Sequence, residues 1–228
     1  MNGTHLKGCR KARGWTQAEV SRRLKVTQAY VSMLEQGKRS LPPRLARRAV
    51  RLLRLPATTL PLPEATPSKK FSQQFFAEQL GALGYPGYAY LRHIKVQLNP
   101  AQLLVAMLMC DRVESRLVEA LPWLPYRYAA MDWEWVVRQA KLHDVQNRLG
   151  FIVELGRDLA ERRSLPQAVA LAQVAEALQD SRLAKEGTLC HEGMTQVERR
   201  WLRENRQPEA RKWNLLTDLK LEYLVHAD

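Results

Sequence analysis

Apolar residues in the first third of the chain recur at helical spacing, but only in short runs that polar capping residues punctuate. Leu6, Cys9 and the stem of Arg10 share one face of a predicted helix over His5 to Arg13, which Gly14 ends. Thr16 can cap a second helix running to about Leu24, and Glu19 three residues on completes a capping box. Lys25 and Val26 leave room only for a tight turn. Thr27 then caps a third helix through about Gln36, with Gly37 as its stop. A fourth begins after Ser40-Leu41, where Pro42 and Pro43 suit a first turn, and continues as RLARRAVRLL.

The stretch LPATTLPLPEATPSKK, residues 55–70, has four prolines and no apolar period, so it reads as a semi-rigid, extended spacer. Beyond it the pattern is helical and β-branched alternation is absent. The predicted helices are Ser72 to Leu83, Pro100 to Leu121 capped by Asn99, Asp132 to about Arg163, Pro166 to Lys185, Thr195 to Arg206 with a Thr195/Glu198 capping box, and Pro208 to about Val225. GYPGYAY reads as a turn-rich loop, and Gly150 as a kink or division in the long helix. The expectation is an all-α protein: a four- to five-helix domain over residues 1–55, a proline-rich linker over 56–70 and a helical bundle over 71–228.

Charge sharpens this division. The chain carries a net +13, and residues 1–70 hold 16 Lys and Arg against 3 acidic residues, whereas residues 71–228 hold 20 of each. The whole basic excess lies in the first third, which points to a polyanion partner there and a different task for the rest. Three widely separated cysteines, Cys9, Cys110 and Cys190, give no disulfide framework or zinc spacing and read as small core residues. No apolar run is long enough to span a membrane and the N-terminal stretch has no signal-peptide core, so the expected setting is cytoplasmic, without a membrane partner.

Two helices joined by a three- to four-residue turn read DNA when the second lies in the major groove and the first braces it. Val20, Leu24, Val26, Val31 and Leu34 fall where they would pack between the two helices, leaving Gln28, Ala29, Ser32 and Met33 outward on the third helix. A Gln28 carboxamide can pair with the N6/N7 edge of adenine; Ala29 and Met33 can touch a thymine methyl, and Ser32 can donate or accept. Gln17 sits on the first turn of the second helix, where free N–H groups attract phosphate. Thr27, Tyr30, Lys38, Arg39 and Ser40 flank the reader as candidate phosphate contacts.

The order Arg10, Gly14, Thr16-Gln17-Ala18-Glu19, Val20, Leu24, Val26-Thr27-Gln28, Val31, Leu34-Glu35, Gly37-Lys38 resembles the lambda-repressor-like helix-turn-helix family of phage repressors, Cro and bacterial relatives. The resemblance covers residues 5–55. It implies base contacts at Gln28, Ala29, Ser32 and Met33, phosphate contacts at Gln17, Lys38 and Arg39, and a buried ion pair between Arg10 and Glu35. Two positions depart from the pattern. Lys25 stands where the turn usually has Gly and needs a left-handed conformation, costing about 1 kcal/mol; Cys9 replaces a usual Leu.

Other constellations are weaker. His191-Glu192 opens like the zinc motif H-E-x-x-H, but Thr195 stands at the second His, so no metal or cofactor is expected. His143, Asp144 and Asn147 lack a nucleophile or a phosphate loop, so they read as buried hydrogen-bonding residues rather than catalytic ones, and no enzymatic activity is expected. In DWEWVVRQAKLHDVQNRLGF, Trp133, Val137 and Ala140 form one stripe, and Trp135, Leu142, Val145, Leu149 and Ile152 another. Trp135, with Trp123, is therefore a candidate protein interface. The combined expectation is a regulator, in the first instance a repressor, that binds double-stranded DNA as a homodimer. The alternative is an antitoxin-like protein whose residues 71–228 neutralise a partner.

Overall fold

The computed structural model describes residues 2–64 and 71–224 and divides into two units, Met1–Pro63 with Gln97–Asn99, and Glu64–Val96 with Pro100–Asp228. The class is all-α.

In the first unit, α1 (Gly3–Ala12), α2 (Gln17–Leu24), α3 (Gln28–Glu35) and α4 (Pro43–Leu52) enclose Leu6, Val20, Leu24, Val31, Ala49 and Leu53. Half-buried Cys9, Trp15 and Val26 pack against this core. The helix starts follow the capping logic. The Thr16 hydroxyl accepts the Glu19 N–H at 3.2 Å while a Glu19 oxygen accepts the Thr16 N–H at 2.6 Å, the reciprocal capping box. Helix α1 lies so close to α3 that a Cβ at Gly3 would collide with the Leu34 carbonyl.

The extended-spacer expectation does not hold over the first residues after α4. Ala57–Thr59 forms a 3-10 turn, Leu60 is buried, and the Asn99 amide donates to the Thr58 and Leu60 carbonyls at 2.9 and 2.8 Å. Burial of Leu60 and these two bonds outweigh the extended preference of the prolines. Residues 65–70 lie outside the described residues.

The second unit comprises α5 (Gln73–Leu83), α6 (Pro100–Leu108), α7 (Ser115–Ala120), α8 (Trp123–Arg127), α9 (Trp133–Leu142), α10 (Gln146–Arg162), α11 (Gln167–Gln179), α12 (Gln196–Asn205) and α13 (Pro208–Lys212). Two short strands, β1 (Gly187–Thr188) and β2 (Leu215–Leu216), pair in parallel. Helix α10 is the central element: Leu149, Phe151, Ile152, Val153 and Leu155 are buried along it, and α8 and α11 pack on it.

Four predicted helices are shorter than expected, and the one from Pro166 ends at Gln179, well before Lys185. The helix from Pro100 stops at Leu108, because the Val113 N–H is taken by the Cys190 carbonyl and Arg112 bridges to His191, a long-range pairing that pulls the chain out of helix. The long helix breaks at His143–Val145, where Asp144 adopts φ 55°; His143 and Asp144 are exposed, and only Asn147 is buried, exchanging hydrogen bonds with Leu183. The helix from Pro208 ends at Lys212 so that Leu215–Leu216 can pair with β1; residues 225–228 lie outside the described residues. Gly150 neither kinks nor divides α10. It is a packing position, where a Cβ would run into the Trp213 ring.

The aromatic residues also depart from expectation. Trp123 and Trp135 are 3% and 4% exposed, and Trp123 meets the Tyr85 and Tyr128 rings edge-on at 5.4 and 5.7 Å, so both tryptophans are core rather than an open interface. The Trp133 helix does have two faces, but they cut across the predicted stripes, Ala140 going inward with Trp135 and Leu142 lying outward with Trp133. Trp135, Val136, Gln139 and Ala140 are buried, while Trp133 and Val137 are half-buried and Leu142 is exposed.

Candidate DNA interface

The geometry begins at the turn between α2 and α3. Lys25 holds φ 52°, ψ 50°, the left-handed conformation its position requires, and its N–H closes on the Arg22 carbonyl at 3.2 Å. Thr27 then caps α3 by accepting the Tyr30 N–H at 3.2 Å. Val20, Leu24, Val31 and Leu34 are buried and lock the pair. The remaining face of α3 presents Gln28 and Ala29 exposed, Ser32 and Met33 half-buried, and Tyr30 half-buried at the flank.

The segment after α3 folds back onto the helix end. The N–H groups of Lys38 and Arg39 both donate to the Met33 carbonyl, at 2.9 and 3.3 Å, and Gly37 adopts φ 74° to allow the reversal. Lys38, Arg39 and Ser40 are thereby held exposed beside the helix. Gln36 joins the surface without having been expected there. Its amide donates to the Ser32 hydroxyl at 3.1 Å, which orients that hydroxyl; the only signal in the sequence is its i+4 spacing from Ser32.

Beneath this surface lies the ion pair that the resemblance implies. Arg10 Nε and Nη2 donate to the two Glu35 oxygens at 2.6 and 2.9 Å, and Arg10 Nη1 donates to the Trp15 carbonyl at 2.6 Å. Gln17 joins it, its amide donating to Glu35 at 2.9 Å, so this side chain is tied to the buried pair as well as lying on the first turn of α2. Burial pushes the Glu35 carboxyl up, but the Arg10 guanidinium and the Gln17 amide outweigh it and hold the group below the ordinary carboxylate value.

Charge distribution completes the surface. The first unit carries fourteen Lys and Arg against Glu19 and Glu35, and both carboxylates are engaged in internal hydrogen bonds. Arg23 stacks over Trp15 at 4.5 Å and Arg48 donates to the Arg23 carbonyl at 3.1 Å. Arg44 and Arg51 stand exposed on α4. The sequence shows these α4 arginines only as part of the helical period in RLARRAVRLL, with no sign of what they face. The result is a cationic surface with no free carboxylate to neutralise it, around a short helix that offers amide and apolar groups.

A tight helix pair of this kind, with an exposed second helix, defines the helix-turn-helix class. Residues 3–62 match a family model described as a helix-turn-helix domain. No curated protein and no solved structure matched the chain. The domain supports a DNA-binding regulator.

The second unit gives no comparable chemistry. Glu192, from the incomplete zinc motif, accepts from Arg148 at 2.5 Å and from the Thr188 hydroxyl at 3.0 Å. Arg148 also donates to the carbonyls of Thr188, Leu108 and Cys110 at 2.8, 2.7 and 3.2 Å, so this pair ties α10 to β1 and to the end of α6. Cys190 is buried, which pushes its thiol up to about 12 and away from thiolate chemistry; Cys9 and Cys110 are half-buried. Among the described residues no helix is long and apolar enough to cross a membrane.

Proposed function

We propose that this protein is a sequence-specific transcriptional repressor that occupies a two-fold operator as a dimer, residues 1–55 reading DNA and residues 71–228 serving self-association. The observation that carries the reading is the exposed Gln28–Ala29 end of α3, set in a surface whose cations have no free carboxylate neighbours. Gln28 takes an adenine edge in a bidentate pair, Ala29 and Met33 meet thymine methyls, and Ser32 contacts a base with its hydroxyl oriented by Gln36. Thr27, Tyr30, Lys38, Arg39 and Ser40 grip phosphates. The second N–H of the Gln17 amide does the same, so this residue couples the backbone grip to the buried Arg10–Glu35 pair. One such domain makes few base contacts, and two on half-sites about one DNA turn apart supply the rest.

The test is equilibrium binding to an operator selected from a random pool and to scrambled DNA. Gln28→Ala is expected to weaken operator binding about tenfold or more and to relax preference at one position per half-site, while Lys38→Ala weakens both DNAs alike. Equal losses on the two DNAs for Gln28→Ala would remove the base-reading role.

A further inference from the structure

In the second unit, α9 and α11 wall an open groove of about 760 Å³ that nothing among the described residues fills. Its sides are apolar: Trp133, Val137 and Leu142 from α9, and Ala170, Val174 and Ala177 from α11. Leu142 is 65% exposed. The Trp133 indole N–H is already satisfied by the Ala129 carbonyl at 2.8 Å, so the ring brings no unmet polar demand to this surface. These apolar side chains are gathered along one groove instead of being scattered singly over the surface.

The charges on α9 indicate what covers it. Glu134, Arg138 and Lys141 also line the groove, and none of the three forms an ion pair among the described residues. Consider a second copy of α9 laid antiparallel across the first, with the two-fold axis passing between Val137 and Arg138. Such an axis pairs Trp133 with Leu142 of the second copy and Glu134 with Lys141 of the second copy, each pair occurring twice. Large apolar groups then meet apolar groups and opposite charges meet. In a parallel arrangement Glu134 would meet Glu134 and Lys141 would meet Lys141. The small side chains of Ala170 and Ala177 leave the opposite wall open to the approaching helix. We propose that the α9–α11 groove is a self-complementary surface whose occupant is the same groove of a second copy of this chain, antiparallel about that axis. This rests on the dimeric reading above and assigns it a surface and a register.

The experiment is sedimentation equilibrium of the full-length protein over a concentration series, with the same samples titrated onto a single half-site duplex. The wild type is expected to be a dimer. Glu134→Lys and Lys141→Glu should each raise the dimer dissociation constant about tenfold, since both attractive pairs turn repulsive, and the double exchange should return it to within about threefold of wild type. Val137→Arg, which in this register faces Arg138 of the second copy and sets like charges together on both sides of the axis, should leave monomer. All four variants alter exposed or half-exposed positions and should keep the wild-type half-site affinity. A monomeric wild type, a dimer indifferent to both single reversals, or a double exchange that fails to restore the dimer would each overturn the proposal. In the first case, retained half-site binding leaves the DNA reading standing and points to a different protein as occupant. A dimer that obeys the charge exchange but gains no DNA discrimination from Gln28 would do the opposite, supporting the groove and removing the base reader.

Discussion

The Arg10–Glu35 pair shows how much one residue can organise. Arg10 commits its guanidinium to Glu35 at the end of α3 and to the Trp15 carbonyl just ahead of α2, so one side chain on α1 registers the two helices that form the reader. Removing only one partner strands a buried charge, which costs about 3–5 kcal/mol, whereas replacing both with apolar groups costs less. Arg10→Met is therefore expected to lower unfolding stability by about 3 kcal/mol in urea denaturation, and Arg10→Met with Glu35→Leu by clearly less. The pair also sets an acid limit. Glu35 ionises more readily folded than unfolded, so its contribution is complete above the ordinary carboxylate value of 4.5 and drains away as pH falls through the lower folded value. Urea midpoints measured from pH 7 down to pH 3 should fall more steeply for wild type than for Glu35→Gln; parallel curves would show that Glu35 does not set the acid limit. The pair is legible only through resemblance, since nothing in the spacing of two residues 25 apart reveals it. Arg148 is not legible at all, because three of its four acceptors are backbone carbonyls, which leave no mark in a sequence.

Among the elements, those specified by their own termini are legible and those ended by distant contacts are not. Thr16, Thr27, Asp132 and Thr195 all cap the helices their positions predict, because a side chain three residues from an orphan N–H acts locally. Helices α6 and α13 end early because strand-like contacts with the Gly187–Glu192 segment compete for their backbone, a contest that a local pattern cannot display. Gly150 belongs to the same category. Read alone in a helical run it suggests a kink, but α10 continues through it, and the missing side chain makes room for the buried Trp213 ring, whose indole N–H donates to Glu154 at 2.8 Å. Lys212 also reaches Glu154, so α13 is fastened to α10 by an aromatic ring and a shared carboxylate. Gly150→Ala is expected to destabilise the second unit by about 1–3 kcal/mol through overpacking, although alanine is the better helix former by about 1 kcal/mol. Thermal denaturation with Trp fluorescence checks this, and a variant more stable than wild type would mean that Gly150 acts through helix propensity alone.

At the scale of the whole chain, two kinds of surface are separated along the sequence. The first unit has cations without free carboxylate neighbours, while residues 71–228 balance 20 basic against 20 acidic residues and leave an apolar groove open. The division of charge is legible in the sequence; the groove is not, because Trp133 and Trp135 look alike until the fold turns one of them inward. Binding driven by these two surfaces responds differently to salt. Cations on phosphate release counterions, so a dimer making six or more phosphate contacts should lose about 10³-fold or more in DNA affinity between 50 and 200 mM salt. Lys38→Ala should reduce the slope of log K against log salt by about one for each lysine removed, hence by about two per dimer. Self-association through the groove is mostly apolar, with only a few peripheral charge contacts, so its dissociation constant should move only a fewfold over the same range. Parallel salt titrations by fluorescence anisotropy on labelled operator and by sedimentation on free protein measure the two together. A DNA affinity as insensitive to salt as the dimerisation would contradict the assignment of the first unit's cations to phosphate, and an equally steep dimerisation would mean that charge, and not the Trp133–Leu142 contact, holds the two copies together.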